Sequence, residues 1–97
     1  MESIIITLSR TLTAQTVVRR FETMVLEAGL IIHSRGSFAD RPGSTHWHVR
    51  KPDAVGTLEA TWQPATGHFW FSIHENRRGD WISTAVEQLR KKLEDAD

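Results

Sequence analysis

The alternation of side chains in His68–His74 (HFWFSIH) is the feature that most restricts how this chain can fold. A period of two indicates a β-strand, in which successive side chains point to opposite faces of a sheet. Phe69 and Phe71 then face one side, and Trp70 faces the other side together with polar residues. Because a register slip of one residue would put both phenylalanines into water, the pattern predicts that Trp70 lies outside the core.

Four further segments alternate or are rich in β-branched residues, and each predicts a strand. They are Ser3–Ser9, Leu30–Phe38, Thr45–Arg50 and Thr57–Trp62. The segments between the later strands are short and contain Pro and Gly, so the last four strands are predicted to form an antiparallel meander. Ala39–Ser44, which holds Asp, Pro and Gly, is predicted to be a loop.

Two segments have apolar residues at the three- and four-residue spacing of an amphipathic helix. The first starts at Ala14, and the apolar stripe of the second runs from Trp81 to Leu93. Residues suited to cap these helices stand at their ends. In chain order they are Thr11 or Thr13, Gly29 and Asp80.

The predicted element order is β-α-β-β-β-β-α, which is typical of an α+β fold. An antiparallel sheet with one apolar face needs cover, and two amphipathic helices on that face give a two-layer sandwich. Trp47 and Trp62 are expected in the core, and Trp81 at its edge. A length of 97 residues is enough for one domain, which we expect to span residues 1–97.

The strand patterns also predict which side chains share the face turned away from the helices. Three rows are expected across the strands: His46–Thr61–Trp70, His48–Glu59–Ser72 and Arg50–Thr57–His74. Paired Cβ atoms lie about 4.5–5.5 Å apart. His48 and Glu59 are therefore predicted to be the pair within easy reach, and His74 is expected to lie too far from His46 to share a site with it.

An outward tryptophan flanked by arginine and histidine is typical of an interface. The principal hypothesis is a small non-enzymatic binding module that contacts a protein partner, or a second copy of itself in a homodimer, through this face and the loop at 76–79. The predicted binding residues are His46, His48, Arg50, Trp70, His74, Arg77 and Arg78. This hypothesis assigns no catalytic residue, no metal ligand and no cofactor.

Two alternatives stay open on the residues alone. Basic residues are concentrated in the segment 30–52, and with Trp70 as a stacking platform they favour nucleic-acid or anion binding. The basic residues concerned are Arg35, Arg41, Arg50, Lys51, Arg77 and Arg78. The second alternative is a metal-assisted hydrolase built on His48 and Glu59, with His46, because imidazole and carboxylate are the ligands that Zn²⁺ takes.

The composition restricts the classes of partner and the cellular location that we expect. Twelve basic residues balance twelve acidic ones, so the basic excess of many nucleic-acid or membrane-surface proteins is missing. The lack of cysteine excludes disulfides and cysteine-based metal sites. No apolar run approaches the ~18 residues of a membrane helix, and Met1-Glu2-Ser3 does not resemble a secretory signal, so no membrane contact and a cytoplasmic location are expected.

Overall fold

The computed structural model describes residues 1–8 and 12–95, and its element order is the predicted β-α-β-β-β-β-α. The strands are β1 (Glu2–Ile6), β2 (Ile31–Phe38), β3 (Arg41–Arg50), β4 (Leu58–Gln63) and β5 (His68–Ile73). The helices are α1 (Ala14–Glu27) and α2 (Ile82–Asp95), with a 3₁₀ turn at Glu75–Arg77. Two predicted positions lie outside the described residues. They are Ser9, the predicted end of the first strand, and Thr11, one of the two candidate caps of the first helix.

The strands of the described chain form one antiparallel sheet in the order β1-β5-β4-β3-β2. The meander from β2 to β5 is confirmed. β1 completes the sheet by pairing with β5, with Ile4 opposite Phe71 and Ile6 opposite Phe69. It ends earlier than predicted, and beyond it the Thr7 amide donates to Glu94 Oε2 of α2 at 3.3 Å.

Helix α1 has the ends that its sequence predicts. The Thr13 hydroxyl accepts a hydrogen bond from the Thr16 amide at 3.1 Å, which caps the first turn. At the other end Gly29 has a φ of +78°, and the Leu30 amide donates to the Val25 carbonyl at 3.0 Å. This is the Schellman arrangement, in which a left-handed glycine satisfies the last carbonyls of a helix.

The core lies between the sheet and both helices. Phe21 of α1 is fully buried, and its ring centroid lies 4.6 Å from that of Trp47 and 5.2 Å from that of Phe69. Helix α2 contributes its apolar stripe to the same cluster, including Leu89 and Leu93. Trp47, Trp62 and Trp81 are 0%, 6% and 8% exposed, as predicted for the core and its edge. Because both helices cover one face of the sheet, no helix within residues 1–8 and 12–95 covers the opposite face.

The predicted loop at Ala39–Ser44 is wrong, because only Ala39 and Asp40 form the turn and β3 begins at Arg41. The Ser44 hydroxyl donates to the Arg41 carbonyl at 2.7 Å and accepts from the Phe38 amide at 3.3 Å. Gly43 takes a φ of +82°, a left-handed backbone conformation that would strain a residue with a side chain. The Pro-Gly pair therefore lies within a long hairpin.

The predicted N-cap of α2 is also wrong. The helix begins at Ile82, so Trp81 rather than Asp80 precedes it, and the Trp81 carbonyl accepts from the Ala85 amide at 3.0 Å. The Trp81 indole donates to the Val55 carbonyl at 2.7 Å, which holds this residue against the loop before β4. Neither described helix is long and apolar enough to cross a membrane.

Candidate functional site

The sheet face turned away from the helices, here called the outer face, has the predicted register. His46 lies opposite Thr61, and Thr61 lies opposite Trp70. In the next row His48, Glu59 and Ser72 are aligned. Beyond the ladder, Arg50 Nε donates to Thr57 Oγ1 at 3.3 Å, which continues the third predicted row in part.

Glu59 is the centre of a group of titratable side chains on this face. Its side chain is only 12% exposed. The Glu59 Oε1 atom lies 3.0 Å from His46 Nε2 and 3.8 Å from His48 Nε2. The Oε2 atom lies 2.8 Å from His74 Nε2 and 3.4 Å from Arg77 Nη1. We call these five residues the Glu59 cluster.

The convergence on Glu59 corrects the expectation that His48 is its only near neighbour. His46 and His74 are both closer to the carboxylate than His48 is. The reason is diagonal reach, because a long side chain contacts a residue two positions from its direct partner on the neighbouring strand. His46 and His74 do lie on opposite sides of Glu59, as their separate rows predict, but the carboxylate connects them.

The two oxygens of Glu59 have different partners, and this orients the group. His74 and Arg77 occupy Oε2, which leaves Oε1 directed at the two histidines of β3. The other nitrogen of His46, Nδ1, lies 2.8 Å from the hydroxyl of Thr61, which is 2% exposed. A hydroxyl can donate or accept, so Thr61 holds this ring in either tautomer.

The electrostatic environment acts most clearly on His48. Partial burial lowers the pKa of His48, because desolvation disfavours the charged imidazolium, and the neighbouring His46 and Arg77 act in the same direction. The Glu59 carboxylate opposes this shift without overcoming it. His48 is therefore a neutral imidazole with a free nitrogen lone pair at neutral pH.

The loop that carries Arg77 is fixed by the segment before β4. The Thr57 amide donates to the Arg77 carbonyl at 2.9 Å. Gly56 has a φ of +106°, and a side chain at Gly79 would collide with the Val55 carbonyl. Two glycines thus let these backbones approach, and the approach places the Arg77 guanidinium beside Glu59. The resulting shallow depression is lined by His48, Glu59, His74, Asn76 and Arg77.

Trp70 lies on the outer face as predicted. Phe69 and Phe71 are 0% exposed, whereas Trp70 is half-buried. Its direct cross-strand neighbour, Ile5, is 72% exposed. On the other side, the Arg41 guanidinium lies 5.8 Å from the Trp70 ring centroid and 5.5 Å from that of Phe38. We call Ile5, Phe38, Arg41 and Trp70 the Trp70 patch.

The position of Phe38 and Arg41 beside Trp70 was not predicted, because Ala39–Ser44 was expected to be a loop; Arg41 was named only for nucleic-acid binding. The ring of Phe38 also lies 4.8 Å from that of His46, so it adjoins both the patch and the cluster. If the alternation of β2 is continued through Gly36, it puts Phe38 on the same side of the sheet as His46. The sequence therefore contained a pattern that predicts Phe38 on the outer face.

The basic residues proposed for nucleic-acid binding do not form one surface. Arg35 lies on the helix side of the sheet, where it donates to Glu22 Oε2 at 2.9 Å. Arg78 donates to Glu75 and to Glu2 at 2.9 and 3.2 Å, and these carboxylates raise its pKa. Lys51 lines a hollow beside Trp81. The outer face keeps the remaining three, Arg41, Arg50 and Arg77.

Glu22 has a role that its place on the polar side of α1 does not reveal. Its Oε2 accepts from the indole of the buried Trp47 at 2.9 Å as well as from Arg35. A buried indole N–H needs a partner, and this carboxylate supplies it. Glu22 is thus part of the fold and lies on the opposite side of the sheet from the Glu59 cluster.

Comparison of the chain with known protein families, with curated proteins and with solved structures found no match.

Proposed function

We propose that this chain is a small non-enzymatic binding module whose outer face contacts an acidic segment of another protein. The observation that carries the proposal is the Trp70 patch, an indole on the sheet face opposite the two helices, flanked by an exposed isoleucine and an arginine. Tryptophan and arginine are enriched among the residues that contribute most to protein interfaces. Trp70 is the anchor, and Ile5 extends its apolar surface.

The charge of the outer face supports an acidic partner. Three arginines are exposed on this face, namely Arg41, Arg50 and Arg77. The carboxylate in the predicted cross-strand rows is that of Glu59. That carboxylate is buried and already faces three imidazoles and a guanidinium. Electrostatic complementarity therefore selects a negatively charged surface. A second copy of this chain is disfavoured, because face-to-face docking would bring two sets of arginines together.

The loop at 76–79 contributes one charge to this surface rather than two. Arg77 is directed toward the outer face, whereas Arg78 is held by Glu75 and Glu2. Of the seven predicted binding residues, Arg78 is therefore the one we leave out of the contact surface.

Selection of peptides from a random displayed library on the immobilised chain tests this proposal. We expect enriched peptides that combine acidic residues with an aromatic or aliphatic side chain. Their binding should be lost with Trp70→Ala and with Arg41→Glu, and it should weaken as salt rises. The matched control is Leu26→Ala, which removes a 63% exposed apolar side chain from α1 and should change nothing.

Three results would overturn it. One is enrichment of peptides that bind Trp70→Ala as well as the wild type. Another is a dimer, seen by sedimentation across protein concentration, that Trp70→Ala dissociates, since this would make a second copy the partner. The third is Trp70-dependent binding of a single-stranded oligonucleotide at low salt without peptide binding, which would make the face a nucleic-acid surface.

A further inference from the structure

We infer that His46, His48 and Glu59 form a binding site for one Zn²⁺ ion on the outer face. The ligand atoms of these three residues all lie within 4.8 Å of one another. Two imidazoles and one carboxylate, with an open fourth position, are a donor set that zinc accepts. The site is separate from the Trp70 patch and does not depend on the proposed partner.

The two distances from Glu59 are compatible with a tetrahedral ion. With bonds of about 2.0–2.1 Å to N and O, the ligand atoms of tetrahedral zinc are about 3.3 Å apart. Glu59 Oε1 lies 3.0 Å from His46 Nε2 and 3.8 Å from His48 Nε2, so the two observed separations bracket this value. The ligand nitrogens of His46 and His48 lie within 4.8 Å of each other. Zinc binding therefore requires the two imidazoles to adjust toward the tetrahedral separation.

The residues around the ligands already orient them. Metal-binding histidines commonly hold their second nitrogen in a hydrogen bond that fixes the ring, and Thr61 Oγ1 stands 2.8 Å from His46 Nδ1. When Nε2 binds zinc, the proton of the neutral ring resides on Nδ1 and is donated to Thr61. On the carboxylate, His74 and Arg77 retain Oε2, so Oε1 is left for the metal.

The backbone makes the site rigid. His46 and His48 are two residues apart on β3 and therefore point to the same face, and Glu59 lies opposite His48 on β4. Both strands are interior strands of the sheet. Sites built on such elements hold their ligands more closely than sites on loops.

The charges around the site indicate what takes the fourth position. Arg77 and Glu59 cancel before the ion binds, so Zn²⁺ leaves an excess of positive charge. Two of the ligands, His48 and Glu59, also line the depression formed with His74, Asn76 and Arg77, so the site adjoins it. A water molecule, or a carboxylate from solution, can occupy that position and reduce the excess.

Zinc binding to the full chain, freed of metal with a chelator that is then removed, tests the inference. We expect one Zn²⁺ per chain by calorimetry and elemental analysis, and an intense visible absorption band when Co²⁺ is used instead, which reports tetrahedral coordination. His46→Ala and His48→Ala should each weaken binding by more than the roughly 10–100-fold that loss of a ligand-orienting residue costs. Thr61→Val should fall within that range.

His68→Ala is the matched control, because it removes an exposed histidine of β5 that is not part of this group. Thermal unfolding confirms that each variant folds, and Glu59→Gln gives an independent ligand variant of nearly unchanged shape. The inference is overturned if the wild type takes up no stoichiometric zinc, or if both β3 variants bind as much zinc, as tightly, as His68→Ala does. When peptide selection is carried out on metal-free protein, its failure leaves the zinc result standing, and the converse also holds.

Discussion

The Glu59 cluster and the Trp70 patch share the outer face, but they differ in how their side chains are satisfied. In the cluster, a carboxylate with a 12% exposed side chain faces four cationic or imidazole groups within 3.8 Å. In the patch, a half-buried indole adjoins an isoleucine that is 72% exposed. The cluster is therefore preorganised by its own contacts, whereas the patch keeps apolar surface in water. One side of a sheet can therefore hold a satisfied polar cluster and an exposed apolar patch next to each other.

Removal of the Glu59 carboxylate is expected to have the largest effect on stability. Glu59→Ala leaves three imidazoles and the Arg77 guanidinium without their shared acceptor, and breaking a largely buried group of this kind should cost about 2–3 kcal/mol. Urea unfolding measures the change. Glu87→Ala, which removes an exposed carboxylate from α2, is the control and should have almost no effect.

A loss of stability no greater for Glu59→Ala than for Glu87→Ala would break the comparison. It would mean that the cluster contributes as little as an exposed ion pair does.

An intermediate effect is expected when the hydroxyl that holds His46 is removed. Thr61→Val keeps the shape of a side chain that is 2% exposed and deprives His46 Nδ1 of its partner, so it should cost about 1 kcal/mol. Urea unfolding again measures the change. Thr66→Val removes a hydroxyl from an exposed turn, and its cost should be clearly smaller. Equal costs would show that Thr61 does not orient the ring.

The smallest effect concerns pH. The lowered pKa of His48 predicts that, in metal-free protein, this imidazole titrates below 6.5, the ordinary value for histidine, as measured by NMR of the ring protons. Between the folded pKa and 6.5 the unfolded chain binds the proton and the folded chain does not. The contribution of His48 to stability is therefore fully present above that window and is lost as the pH falls through it. A His48 pKa above that of an unfolded peptide would contradict this.

The fold was largely predictable because its signals are local. The alternation around Trp70 lies within one strand, and the apolar stripe that includes Phe21 lies within one helix. The structure confirms both. The two errors, the loop at Ala39–Ser44 and the N-cap of α2, lie where side-chain hydrogen bonds determine the local structure. The Ser44 hydroxyl forms a hydrogen bond within its own hairpin, and β3 continues through Pro42. Before α2, Trp81 stands where an acidic cap was predicted, and its indole is hydrogen-bonded to Val55.

The candidate site was predictable only in part. The cross-strand partners of Glu59 followed from strand period and turn length, and the structure has them in that register. Its diagonal neighbours His46 and His74 did not follow, because reach depends on side-chain rotamers and on the twist of the sheet. The position of Arg77 depends on the contact between Thr57 and the loop before α2, which is distant in sequence.

The facing of each strand follows from the amino-acid order alone, and with it the fact that His46, His48, Glu59 and Trp70 share one surface. Burial of Phe69 and Phe71 leaves no alternative, since the opposite register would expose them to water. The meeting of three histidines and an arginine at one carboxylate, and the pairing of Arg78 with Glu2 and Glu75, became visible only in the folded chain. The hydrophobic period specifies the side of a sheet, whereas distances of 3 to 4 Å between polar atoms depend on loops and rotamers that no period encodes.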